Sequence, residues 1–315
     1  MTTTSETTTG ADASSAERFV DDLVRLHAGL RYPGLVDAID GEPLCLLDRY
    51  DDGLTTVSFN QSQLPERYMR GVLGFRLSQF LLTGLMDKEL VYRNAIFHEP
   101  VVDAPGPDTI HTVTLTETGQ IVGYIGLVRS LDPEPLPLES PQRELFPVEV
   151  AHDVELLTQY AAPGRTTHNV IEIKRFIRDR AMPKGAQRDR VPWHLILAIG
   201  RTKLSLGDEL QVVVGDSGER GALRHLRLVG FDLDVVEGTK PSLPRTELMW
   251  PSYELPPERL AKPFSGVIPD DFCDYMDALE SGLVSVRDAD WQQKAIARIV
   301  DLHKAAGRLD QLQMA

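Results

Sequence analysis

The chain has little cysteine: two in 315 residues, Cys45 and Cys273, far apart in sequence. No C-x-x-C pair and no disulfide framework can be drawn from them. That excludes a zinc site built of cysteines and fits a reducing cytoplasm. Two such thiols are expected to be buried or half-buried small hydrophobes. Long apolar runs are missing as well. A membrane-spanning helix needs about 18 consecutive apolar residues, and none is present, so no membrane partner is expected. Basic residues are in deficit, 33 Lys and Arg against 47 Asp and Glu, for a net charge of −14. Phosphate-rich partners call for the opposite sign. No H-e-x-x-h spacing occurs, so no catalytic metal is expected, and no G-x-S-x-G marks a serine hydrolase. Residues 1–16 are rich in Thr, Ser, Ala and Gly, with no basic region leading into an apolar one. This is a disordered tail by composition, not a secretory signal.

What is present is a globular composition. Hydrophobic residues make up 42%, enough to build a core, and the length allows one large domain or two modest ones. Charge is unevenly placed. Residues 174–190 hold seven Lys/Arg against two Asp, whereas 131–155 hold seven acids against one Arg. Local patches of this kind steer ligands more than the total charge does.

Apolar spacing predicts a helix over 16–30 and a second over 65–83, opened by Pro65 and closed by Gly84. Residues 42–60 read as extended structure with a turn at Asp51-Asp52-Gly53. Residues 109–116 and 121–129 alternate with period two around Thr118-Gly119-Gln120 and predict a hairpin. The Pro- and Glu-rich stretch 131–149 is unfit for a regular central element. Beyond it the pattern predicts strands at 169–177, 209–214, 232–236 and 245–253. Helices are predicted at 192–206, 219–228, 272–283 and 289–304. Strand, helix, strand and helix in turn favour a mixed α/β sheet with a right-handed crossover.

Three phrases carry a family resemblance: GQIVGYIGLVRS at 119–130, VIEIKRFIRDRAM at 170–182 and RHLRLVGFDLDVV at 224–236. They resemble the second and third strands, the central fourth strand and a late helix-to-strand passage of the GNAT acyltransferases. The branch they are most similar to is that of the acyl-homoserine-lactone and N-acyl amino acid synthases. Its Glu-x-x-Arg-Phe is matched by Glu172, Arg175 and Phe176, and its Pro-rich segment by 133–140. The branch also has an acid before the second strand, matched by Asp103 or Asp108. The resemblance implies an α/β fold with a largely antiparallel twisted sheet flanked by helices. It covers about residues 55–255, so that with an N-terminal helical extension the GNAT-like domain is expected at 17–268, followed by a helical extension at 269–315. It implies a cytoplasmic enzyme that binds no cofactor permanently and takes its acyl group from coenzyme A or from the phosphopantetheine of an acyl carrier protein. One departure bears on the donor. The pyrophosphate loop of ordinary GNAT enzymes, Q/R-x-x-G-x-G/A, is replaced by PKGAQRDRVPW at 183–193, with Gly185 alone, which leaves room for a carrier-protein donor.

Acyl transfer to an amine needs a proton acceptor, because an alkyl amine with a pKa of about 10.4 is mostly protonated at neutral pH. Glu172 is the candidate base; the competing reading is an ordinary ion pair with Arg175, Arg178 or another basic residue. Arg175 is expected to orient Glu172 or to grip a carboxylate of the acceptor. On a regular strand Glu172 and Arg175 point to opposite faces, so a direct pair requires a bulge. Phe176, Ile177, Arg178, Arg180, Lys184, Arg188 and Arg190 are the expected donor contacts, with a solvated loop paired to Asp179 and Asp189 as the plain alternative. Asp108, Arg129 and Trp193 are expected on the substrate side. His111, His152, His168 and His194 read as structural. Phe75, Phe80, Leu81 and Leu82 read either as core or as the lining of an acyl pocket. Two other functions fit less of the sequence: a transferase using aminoacyl-tRNA, and a non-catalytic binder on the same fold.

Overall fold

The computed structural model describes residues 14–100, 106–218, 221–284 and 290–313. Its first helix, α1 (Ser15–Gly29), starts in a capping box in which Ser14 and Glu17 satisfy each other's backbone N–H groups. The helix therefore takes in Ser15 and Ala16, inside the stretch expected to be tail. Residues 1–13, the rest of that expected tail, lie outside the described residues. Strands β1 (Cys45–Leu47) and β2 (Leu54–Asn60) follow, then α2 (Glu66–Thr83), capped by left-handed Gly84, and the short α3 (Lys88–Arg93). The expected hairpin is β3 (Ile110–Thr116) and β4 (Ile121–Val128). Gly119 in its turn has φ 77° and lies so close to the Tyr32–Pro33 backbone that a Cβ has no room.

The second half runs α4 (Pro147–His152), β5 (Val170–Arg178), α5 (Ala186–Ser205), β6 (Val212–Ser217), α6 (Ala222–Leu228), β7 (Asp234–Val235) and β8 (Lys262–Val267). Helices α7 (Phe272–Val284), α8 (Trp291–Ala305) and α9 (Leu309–Gln313) end the chain. The eight strands form one sheet in the order β1-β2-β3-β4-β5-β6-β8-β7. Every neighbouring pair is antiparallel except β5–β6. This is the mixed, largely antiparallel α/β sheet flanked by helices that the resemblance implies.

Strand alternation divides the core. Ile125, Leu127, Ile171, Ile173 and Val213 face α5, α7 and α8. Val57, Val113 and Tyr124 face α1 and α2, and Val170, Val212 and Val214 face the Pro-rich segment. That segment has no regular strand, yet it is tightly held. Arg143 makes a two-pronged contact with Glu149 at 2.7 and 2.8 Å, and Glu149 also accepts the backbone N–H groups of Phe146 and Leu156.

Two sequence expectations give way. Helix α5 begins at Ala186 rather than at Pro192, because the residues before Pro192 are good helix formers and the proline removes only one donor near the helix start. Much of the expected basic loop is thus helical. Residues 245–253 form no strand but end in a 3₁₀ turn at Trp250–Tyr253; the strand in this region is β8.

Asp52 and His194 pin the β1–β2 connection to α5. Asp52 Oδ2 lies 2.8 Å from His194 Nε2 and its other oxygen takes the N–H of Leu54, while His194 Nδ1 lies 3.3 Å from Thr56. The Asp-His-Thr order resembles a catalytic triad, but both the Asp52 and the His194 side chains are fully enclosed, so it is a structural clasp. Asp52→Ala leaves donors in the core unsatisfied and is expected to cost about 1–3 kcal/mol in urea unfolding, with the fold retained.

Candidate active site

Strands β5 and β6 run side by side only for the four pairs from Val170↔Val212 to Ile173↔Gly215. Beyond that point β5 stays on β4, through Gly126↔Lys174, Tyr124↔Ile177 and Gly123↔Arg178. Strand β6 stays on β8, through Asp216↔Pro263 and Ser217↔Lys262. The sheet therefore opens in a V whose arms are residues 174–178 and 216–217.

The β5 arm carries a bulge. Between the pairs at Lys174 and Ile177 it has two residues against Ile125 alone on β4. Arg175 accordingly sits at φ 63°, a conformation that costs a non-glycine residue about 1–3 kcal/mol and that gathers at functional sites. The bulge resets the alternation. Glu172, Lys174 and Ile177 share the face toward α2 and α4, and Phe176 turns to the other face, where its ring lies 5.1 Å from that of His225 on α6.

Glu172, one pair before the opening, is 1% exposed. Lys174 Nζ lies 3.2 Å from its Oε1, and neither oxygen makes a well-aligned hydrogen bond among the described residues. Burial pushes its proton affinity above the usual glutamate range; Lys174 opposes this and the charge of Asp216 reinforces it. The bulge does bring Arg175 to the side of Glu172, but its carboxylate partner is Glu99, 3.7 Å away, and its guanidinium lies over the Phe80 ring at 5.1 Å. Glu99 is shared with Arg76, which donates to the Tyr124 hydroxyl at 3.1 Å. Tyr124 meets His111 Nδ1 at 2.8 Å, and His111 Nε2 meets Gln61 Oε1 at 3.3 Å. Burial and Arg76 lower His111 to about 3, so its ring is neutral. With Gln61 Oε1 as acceptor, Nε2 carries the proton and Nδ1 accepts from Tyr124.

On the β6 arm, Asp216 accepts from the Tyr253 hydroxyl at 2.9 Å and lies 3.3 Å from His152 Nε2. The other nitrogen of His152 meets Thr239 at 2.9 Å. Burial acts to raise Asp216, but His152, Lys174 and Tyr253 outweigh it and hold the carboxyl below the usual range. Sequence reasoning passed over Glu99, Arg76, Tyr124, Asp216 and Tyr253. Only Asp216 had a local signal, an acid at the end of the run ELQVVVGD beside a central strand.

Phe176, Ile177, Arg178 and Arg180 line one cavity of about 130 Å³ with Gln79, Phe80, Thr83 and Leu85 of the α2 region. Arg178 is lowered by burial and by the charges of Arg188 and Arg180, against Asp189, which lies 4.0 Å from it beside the start of α5, so the expected ion pair to Asp189 is present as well. Arg188 also donates to the Met182 carbonyl, and Lys184 is exposed. Arg190 leaves the cluster and lies over Trp291 at 5.6 Å. The expected substrate residues are elsewhere. Asp108 accepts the N–H of Ser62 and caps a turn. Arg129 pairs with Glu209 at the closed end of β5–β6. Trp193 packs edge-on against Trp291 in the core. Asp103 lies outside the described residues, and His168 bonds the Asp132 carbonyl. Phe75, Phe80 and Leu81 are core, whereas Leu82 is exposed. Among the described residues no group of three or more His, Cys, Asp or Glu is placed to hold a metal ion, and no helix is long and apolar enough to cross a membrane.

No family model and no curated protein matches the sequence. Among solved structures the chain is similar to BjaI, a CoA-dependent acyl-homoserine lactone synthase solved with MTA. The identity is 16% and the TM-score 0.42, over 77% of this chain and 96% of that one. It is also similar to the AHL synthase LasI, at 11% identity and TM-score 0.37 over 68% and 89% of the two chains. For TofI in an apo form the identity is 15% and the TM-score 0.37, over 70% and 95%.

Proposed function

We propose that this protein is an acyltransferase that moves an acyl group from a pantetheine thioester to an amine, with Glu172 as the base. The observation that carries this reading is the V-shaped opening of β5 from β6 with a buried, under-bonded carboxylate at its apex. Facing backbone groups on the two arms have no strand partner across the gap. A pantetheine arm is itself built of amide units and can lie along β5 as an added strand. Its phosphate then reaches Arg178, Arg180, Arg188 and the N-terminus of α5, where charge and helix dipole both favour an anion. Lys184 can add charge from the surface.

In the reaction the acceptor ammonium loses its proton to Glu172, whose raised affinity suits it to accept. The free amine attacks the thioester carbonyl, the C–S bond breaks as the amide forms, and the thiolate leaves with the second proton of the attacking nitrogen. Arg175, steadied by Glu99 and Phe80, is the cation available to an acceptor carboxylate.

The test is intact-mass detection of acyl transfer from a panel of acyl-CoA and acyl-carrier thioesters to a panel of amines. Acylated amine with matching loss of thioester is expected. Transfer from a carrier protein should weaken as salt rises, because the contact is between an acidic carrier and the Arg cluster. Unchanged thioesters across the panel, with salt-sensitive binding of charged tRNA, would replace this reading by the aminoacyl-tRNA one.

A further inference from the structure

Two carboxylates stand on neighbouring strands at the mouth of the V, and only one has a part in the reaction above. Asp216 follows Gly215, the last β6 residue paired with β5, as Glu172 precedes Ile173, the last β5 residue so paired. Both point to the face that α4 covers. We propose that Asp216, gripped by the Tyr253 hydroxyl and the His152 ring, is a positioning residue for Glu172: it shares the Lys174 ammonium with Glu172 and sets the negative charge that the Glu172 carboxylate meets.

The geometry assigns different states to the two acids. Asp216 has a hydroxyl donor at 2.9 Å and a ring nitrogen at 3.3 Å, while Glu172 has neither, only the ammonium at 3.2 Å and the Val148 backbone N–H of α4, poorly aligned. Asp216 therefore stays ionised, and Glu172 is left to exchange the proton. A pair of titratable groups driven apart in this way marks a division of roles. The groups facing Glu172 come from four elements. Its own strand supplies Lys174, and β6 supplies Asp216. Tyr253, from the 3₁₀ turn, is raised by burial and by Asp216 and remains an O–H donor. His152, from α4, is committed to Asp216 and Thr239. Arg175, on the bulge, is drawn away to Glu99.

Two consequences of neutralising Asp216 have the same sign. The negative charge that opposes ionisation of Glu172 is lost, and Lys174 has no second carboxylate to attract it. Both make Glu172 ionise at lower pH. The role of Glu172 as base rests on the acyltransferase reading; the coupling between the two acids does not.

The experiment follows the Glu172 carboxyl by NMR in the full chain with isotope-labelled glutamate carboxyl carbons, its signal identified by loss in Glu172→Gln. In the unsubstituted protein the midpoint is expected above the ordinary glutamate range. In Asp216→Asn it should fall by about one pH unit or more. Asp216→Ser, whose hydroxyl can still meet Tyr253, should move it the same way and serves if the Asn variant does not fold. A midpoint that stays or rises in a folded variant overturns the proposal. In parallel, the acidic limb of the pH–rate profile for acyl transfer should shift with the midpoint. A rate lowered equally at every pH, with the limb in place, marks a merely structural Asp216 and also overturns it. A shifted midpoint with no transfer from any thioester upholds the coupling and removes the acyltransferase reading alone.

Discussion

Glu172→Gln is expected to lower the acyl-transfer rate by about 10²- to 10⁴-fold, the usual contribution of a positioned base, while thioester binding is kept. The same substitution should make the protein more stable at neutral pH. Burial raises the proton affinity of Glu172 in the folded chain, so folding takes up a proton there. The stability owed to this group is full below the ordinary glutamate range and is lost as pH rises through the raised folded value. Glutamine removes that loss, so the thermal midpoint of the variant should exceed that of the parent near pH 7. The difference should shrink toward pH 4. Turnover and melting curves on one preparation check both effects. A variant that keeps full turnover would instead remove Glu172 as the base, whereas thioester binding without turnover in parent and variant alike would identify a non-catalytic binder.

Glu149→Ala should have the largest effect on stability. Its carboxylate is fully buried and serves both prongs of Arg143 and two backbone N–H groups. Alanine strands a guanidinium in the interior, and breaking one side of such a pair costs about 3–5 kcal/mol. That is a large share of the 5–15 kcal/mol by which domains are ordinarily stable. Urea unfolding measures it. Replacing Arg143 and Glu149 together by Met and Leu should recover much of the loss, because no uncompensated charge remains. Without the clasp, α4 and His152 lose their seat beside Asp216, so activity should fall with stability in the single variant.

The parts of this fold that were legible in the sequence are those with local periodicity. The β3–β4 hairpin, β5 and helices α1, α2, α7 and α8 fall within a residue or two of where spacing puts them. Strand alternation also tied a direct Glu172–Arg175 pair to a bulge; the bulge is there, but Arg175 pairs with Glu99 and Glu172 with Lys174. Strand β8 was hidden because Pro263 and Gly266 interrupt its alternation, while its neighbours β6 and β7 supply the pairing from outside the segment. The start of α5 was hidden because a proline such as Pro192 suits the first turn of a helix and so points to a later start. At the site, Glu172 and the Arg178–Arg180–Arg188 cluster were visible because one stretch of chain carries them. Asp216, His152 and Tyr253 come from three distant segments, and no short-range pattern announces such a meeting. Asp108, Arg129 and Trp193 went astray for the converse reason. They are near the motif in sequence, but a turn cap, a surface ion pair and a core contact have already claimed them.

The strand order has a further consequence for a chain still emerging from the ribosome. Up to β6, strands join the sheet in the order of synthesis, each beside the last. Strand β8 breaks this rule by inserting between β6 and β7, and it is the neighbour that carries β6 past the fork. A nascent chain that ends before residue 262 therefore lacks one wall of the opening between β5 and β6, and the candidate site is completed late in translation.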